Sequence, residues 1–234
     1  YLPEINALLT ISSGIQEKYE QEFNTRSFLI TSAKPFYNLV PQPLHDPQIR
    51  LVHHGSSIPL RKLEETIGVI NYLPKNYSID LFLFPAYPDY DASLRKMFSG
   101  NPRVKFHAPV ATDKIPETLN NYDIGVYILP PANFNQQMAL PNKFFEFVQA
   151  RIAMATGPSH ELKKLIEKYG LGIVSKDFTS KSLAEAILSI THEKIWHYKS
   201  QSHKYARELS YDKELGSIQE IAHKLVQNKK LRLT

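Results

Sequence analysis

Cysteine is absent from the 234 residues, which excludes disulfides and thiolate metal sites and fits a reducing compartment. No apolar run approaches the ~18–20 residues needed to cross a bilayer. No signal peptide and no initiating methionine are present, and the chain opens mid-pattern at Tyr1, which predicts a piece of a longer protein. The glycine fingerprints of nucleotide binding are missing too. Without G-x-G-x-x-G a nicotinamide or flavin site is disfavoured, and without G-x-x-x-x-G-K-[ST] a P-loop is removed. Spacing alone assembles neither a Ser/His/Asp set nor a pair of catalytic carboxylates.

What is present reads as an ordinary globular protein: 42% hydrophobic and 22% charged. The length suffices for a full core and a fragment of a second domain. A formal charge of +5 suits an anionic ligand or a membrane surface, although solvated lysines alone produce such an excess.

Residues 1–40 hold a small unit. Ile5 to Ile11 reads as a strand, Ser13 to Phe23 as a helix capped by Ser12 or Ser13, and Ser27 to Thr31 as a second strand. This unit is too small to fold alone. Prolines at 35, 41, 43 and 47 then exclude regular structure and mark an interdomain linker. From Gln48 strand and helix alternate six times. Strands are expected at Arg50–His54, Ile79–Phe84, Arg103–His107, Asp123–Leu129, Ile152–Thr156 and Leu171–Ser175, with helices near 61–73, 89–98, 113–121, 141–151, 158–169 and 180–190. Short apolar strands without clean alternation are those of a sheet covered by helices on both faces. The fold class is therefore α/β, a doubly wound parallel sheet. The organisation expected is a remnant of a preceding domain over 1–40, a ligand-binding domain over 41–192, and C-terminal helices over 193–234. The tail reads as two helices broken near Ser210, the second carrying an apolar stripe of Leu215, Ile218, Ile221, Ala222, Leu225 and Val226. Lys229 to Arg232 reads as a frayed basic end.

The stretch from Ala139 to Arg151 stands out. Pro141 suits a first helical turn, and Phe144, Phe145, Phe147 and Val148 form an arc that would dock on the sheet. Lys143 and Glu146, three apart, share the polar side near the positive end of the helix. Exposed N–H groups there bind phosphate, the lysine adds a point charge, and the glutamate can accept hydrogen bonds from ribose hydroxyls. The plain alternative is a surface ion pair contributing roughly 0.2–0.5 kcal/mol.

Doubly wound sheets bind ligands where the strand order reverses, in the usual order between the first and fourth strands. The loop after the first strand brings Gly55, whose backbone a diphosphate can approach closely, and Arg61, whose planar fork matches phosphate oxygens. The loop after the fourth strand feeds the Lys143–Glu146 helix. His53 and His54 point to opposite faces of a strand and cannot share a metal, though one of them could touch substrate at the crevice. His192, His197 and His203 read as surface residues on a helix.

Leu140-Pro-Asn-Lys-Phe-Phe-Glu-Phe-Val-Gln-Ala150, Ile152-Ala-Met-Ala155 and His160 through Gly172 resemble the signature of GT-B glycosyltransferases of family 4, bacterial polysaccharide-assembly enzymes among them. His54 through Glu64 is similar to the loop that opens their donor domain. The resemblance covers about residues 48–225 and makes residues 1–40 the end of the acceptor-side domain. It implies a Rossmann-like C-terminal donor domain, retaining and metal-independent sugar transfer, no cofactor beyond a UDP- or GDP-sugar substrate, and a glycan or lipid-linked acceptor. No nucleic-acid partner is implied; the setting would be cytoplasmic, with peripheral association at the inner membrane face compatible with the basic balance. By position, Glu146 matches the second of the family's paired glutamates, on the ribose; the first falls at Met138, a departure. Arg61 matches the second of a basic pair on the diphosphate; the first falls at Ser56, another departure, so that Lys143 supplies part of the missing charge. Catalytic roles thus fall to Arg61 and Lys143. Donor contacts fall to Gly55, Ser56, Val110 in the nucleobase loop His107–Ala111, Met138, Ala139, Leu140, Pro141, Asn142 and Glu146, and no residue to a metal. The alternatives are a nucleotide-sugar-binding or scaffold protein that kept the fold and lost the chemistry, and a sugar-nucleotide epimerase, whose acid and base the sequence does not place.

Overall fold

The computed structural model describes residues 2–228; the basic stretch from Lys229 onward and Tyr1 lie outside them. Six parallel strands form the main sheet: β3 Ile49–Ser56, β4 Tyr77–Phe84, β5 Val104–His107, β6 Ile124–Tyr127, β7 Ala153–Thr156 and β8 Gly172–Val174. Their spatial order is β5-β4-β3-β6-β7-β8, so the order reverses between β3 and β6 as expected for a doubly wound sheet. β3 and β4 stay in register along their whole length, from Ile49 opposite Tyr77 to Ser56 opposite Phe84.

Side chains alternate between two cores because successive strand residues point to opposite faces. Leu51, Ile79, Ile124, Val126 and Ala153 enter one, under α2 (Leu63–Gly68) and α8 (Ser180–Leu188). Val52, Tyr127 and Met154 enter the other, under α6 (Asn142–Gln149) and α7 (His160–Tyr169). Gly125 of β6 leaves room for the Phe147 ring; a Cβ there would lie 2.7 Å from it. Between these lie α3 (Pro88–Phe98), α4 (Ile115–Leu119) and α5 (Phe134–Gln137). The helix expected over 61–73 is interrupted instead: a 3-10 turn at Pro59–Arg61, α2, then a 3-10 turn at Val69–Tyr72. Pro59 starts the first turn, and Lys62 ends it in the left-handed region at φ 50°.

Residues 2–30 form a smaller unit in which two-residue strands β1 (Leu9–Thr10) and β2 (Phe28–Leu29) pair in parallel across α1 (Ser13–Phe23). Both strands are far shorter than expected, since neither has a second partner to extend the ladder. Ser12 caps α1 through its hydroxyl. The proline-rich segment that follows has no regular structure but is fastened down. Lys34 bridges Ser210 and its carbonyl accepts from Tyr211 N–H at 2.7 Å. Tyr37 N–H donates to Gln149 Oε1 at 3.1 Å, and the fully buried Arg151 holds its guanidinium over Phe36. The tail is two helices, α9 (His192–Tyr205) and α10 (Tyr211–Asn228), with the break at Ser210 as expected. Ile221 of the α10 stripe is buried, whereas Val226 stands exposed. His192, His197 and His203 are all exposed. No helix among the described residues is long and apolar enough to cross a membrane.

Candidate functional site

Gly55, the penultimate residue of β3, has φ +115°, a backbone conformation that side chains resist. The absence of a side chain is used. A Cβ at Gly55 would lie 2.7 Å from Lys143 Nζ and 3.9 Å from an Arg61 guanidinium nitrogen. Gly55, Arg61 and Lys143, drawn from three separate segments, therefore converge at the reversal point. Arg61 is steered there by its own turn, donating from Nη1 to the Ser56 carbonyl at 3.3 Å. Among the described residues neither cation has a carboxylate within 4.0 Å. Pro141 is the N-cap of α6 rather than a residue of its first turn, and no side chain caps that end.

The placement of Lys143 and Glu146 on a solvated polar face is overturned. Lys143 is 6% exposed and Glu146 4%, because α6 is covered on every side, by the sheet, by α4, by α9 and by the linker. A surface ion pair between them is excluded as well; Glu146 reaches Lys34 Nζ at 3.2 Å and His54 Nε2 at 3.3 Å instead. Burial, with the Arg61 charge adding to it and Glu146 opposing, pulls the Lys143 ammonium down to a pKa of about 7. Its nitrogen rests 5.0 Å from the centre of the Tyr127 ring, a cation–π contact. The opposite partner of that ring is His53, stacked at 5.9 Å. His53 donates from Nδ1 to the Val126 carbonyl at 2.8 Å, and burial holds its pKa down at about 3, so it stays neutral.

Beside this cluster a cavity of about 230 Å³ opens between the ends of β3 and β4 and the loop after β5. Gly55, Ser56 and Val110 line it. Phe82, Phe84, Pro109, Thr112, Ile115, Thr118 and Leu119 complete a largely apolar slot. Phe82 is braced from behind by His107, stacked at 4.8 Å and hydrogen-bonded through Nε2 to Asp80 at 3.2 Å. His54 also lines the cavity, and burial holds its imidazole well below the usual pKa.

The structure does not bring every expected donor contact to this place. Leu140 is buried in the core under α6, so its side chain faces packing rather than a ligand. Met138 turns its thioether toward Gly14 of α1, where an added Cβ would lie 2.4 Å from the sulfur. Ala139 packs partly buried against the same core, and Asn142 stands exposed at the head of α6. Reading the sequence missed Tyr127, Lys34 and the apolar wall. Tyr127 lies at the end of β6 and was open to detection, whereas nothing in the chain near Lys34 signals a partner 112 residues away.

No protein-family model matches the sequence, and no curated protein matches it. Solved structures do. The Anabaena HepE protein, determined with UDP and glucose, superposes with a TM-score of 0.75 at 16% identity, over 96% of this chain and 64% of that one. TarM of S. aureus, determined with UDP, gives 0.74 at 11% identity, over 94% and 44%. The chain has the fold of GT-B glycosyltransferases. WaaG, a glycosyltransferase involved in lipopolysaccharide biosynthesis, matches at 0.64 and 14% identity, over 86% and 58%. The chain thus spans less than two thirds of the length of each of these proteins.

Proposed function

We propose that this chain supplies the donor-binding half of a retaining glycosyltransferase, taking sugar from a nucleoside diphosphate to a cell-envelope or polysaccharide acceptor. The observation that carries the reading is the pair Arg61 and Lys143. Two cations without an acidic partner meet over a bare glycine, at the uncapped end of a buried helix, next to an apolar slot. Such a place suits a dianionic ligand that carries an apolar ring. The diphosphate would lie on Gly55 and the head of α6, the nucleobase in the slot, and the ribose toward Glu146. As the glycosidic bond to the diphosphate breaks, negative charge grows on the leaving oxygens, and fixed cations there stabilise it without reorganisation. Neither metal nor cofactor enters this scheme, and an acceptor would bind in the cleft on the side of α1. That neighbours of the same fold were determined with UDP supports it.

The second reading is a nucleotide-sugar-binding or scaffold protein, favoured by Met138, whose thioether packs on Gly14 and leaves no polar contact for a sugar. Calorimetry with UDP and GDP tests the site itself. Micromolar to millimolar binding to wild type, weakened by about 1–3 kcal/mol in Glu146→Ala, is the expected result. Unchanged affinity in the variant removes the ribose role. This chain alone should bind donor yet transfer sugar poorly or not at all, so incubation of the full-length protein with labelled nucleotide sugars and envelope acceptors separates the two readings, since a scaffold binds donor without releasing diphosphate.

A further inference from the structure

The carboxylate of Glu146 is buried, yet among the described residues no aligned hydrogen bond reaches it. Lys34 Nζ at 3.2 Å and His54 Nε2 at 3.3 Å are near enough for charge interaction, but the His54 nitrogen is left without a hydrogen-bond partner. Since burial keeps His54 neutral, the ammonium of Lys34 is the cation that compensates this carboxylate directly. Lys34 comes from the segment joining the β1–β2 unit to the sheet, with its backbone held by Ser210 and Tyr211. Its side chain is 19% exposed, at the border between linker and site.

We propose that Lys34 is a positioning residue for the ribose subsite: its ammonium, 3.2 Å from Oε1, holds the Glu146 carboxylate pointed, so that the lone pairs it leaves free can accept ribose hydroxyls. This rests on the donor-site reading above and deepens it. Nucleotide affinity then depends on where the linker sits, because the acceptor for the ribose is completed by a residue outside the sheet domain.

The test is calorimetry with UDP and with 2′,3′-dideoxyuridine diphosphate, on wild type, Lys34→Met, Lys34→Arg, Glu146→Gln and the Lys34→Met/Glu146→Gln pair. Lys34→Met should weaken UDP by about tenfold and leave the dideoxy ligand within about twofold. Lys34→Arg should recover most of the loss, and in the Glu146→Gln background Lys34→Met should add nothing. Equal or tighter UDP binding by Lys34→Met overturns the inference, tighter binding marking the lysine as a competitor for the carboxylate. An equal loss for both ligands also overturns it, since that is what a direct phosphate contact or a general structural role would produce. Wild type binding neither UDP nor GDP sinks the donor-site reading and this inference together. Wild type binding with Lys34→Met indistinguishable from it sinks only the role of Lys34.

Discussion

At the scale of single residues, the site is built on groups that the apo fold tolerates rather than favours. Lys143 is the clearest, since an ammonium with a pKa near 7 in the folded chain is close to 10.4 when unfolded. The unfolded chain therefore binds more protons between those values, and stability rises with pH across that window. Lys143→Met should accordingly raise apo stability by about 1–2 kcal/mol at pH 6–7 while abolishing nucleotide binding; a denaturant melt paired with calorimetry checks both. The same group gives binding a pH signature. A diphosphate favours the charged ammonium, so wild type should take up a proton on binding at pH 8, and affinity should fall as pH rises above about 7. Titrations in buffers of differing ionisation enthalpy read the proton directly, and Lys143→Met should lack it. Gly55→Ala is the steric counterpart. At φ +115° with Lys143 Nζ 2.7 Å from the new methyl, it should cost about 1–3 kcal/mol of stability and displace the lysine.

At the scale of elements, α6 is held by a fit with no slack. Its Phe147 ring lies on the bare backbone of Gly125, with ring carbons 2.7 and 2.8 Å from where a Cβ would stand. Gly125→Ala must lift the helix from β6, at a cost of about 1–3 kcal/mol, and should weaken UDP more than it weakens the fold, because the helix head moves with it. Phe147→Ala removes the ring instead and should cost about 3–5 kcal/mol. Chemical denaturation of both variants, set beside their nucleotide affinity, distinguishes loosening of the helix from loss of the core. The far end of α6 is tied to the linker through Gln149 and Arg151. One short helix thus carries the proposed diphosphate site at its head and the linker clamp at its tail.

For the whole molecule, the residue 2–30 unit and the sheet domain meet through Glu161. Buried at the start of α7, its carboxylate accepts from Gly14 N–H at 3.1 Å and from Ser13 Oγ at 3.0 Å, at the positive end of α1. One N-terminal backbone N–H and one side-chain hydroxyl of one lobe's helix are thereby satisfied by the other lobe. Glu161→Ala should release α1, speeding hydrogen exchange and proteolysis across residues 13–23 while leaving the protection of the six-stranded sheet intact. Uniform loss of protection would mean that the two lobes unfold as one unit.

The alternation of short apolar runs with helical stretches determined the doubly wound sheet, because strand and helix periods are local properties that the chain carries in its own order. The same order placed Gly55, Arg61 and Lys143 together at the carboxyl end of the sheet, since the topology of such sheets leaves few choices. Only the tertiary structure decided that Lys143 and Glu146 are buried. Helical period assigns them to the polar side of α6, but Glu146 is covered by Lys34 and Lys143 by Gly55 and the Tyr127 ring, all far away in sequence or on another element. It alone decided that Glu146 takes its cation from Lys34, that Met138 serves α1, and that Leu140 belongs to the core. Pairings of this kind depend on loop closure between distant segments, which no residue pattern encodes until the chain has folded back on itself.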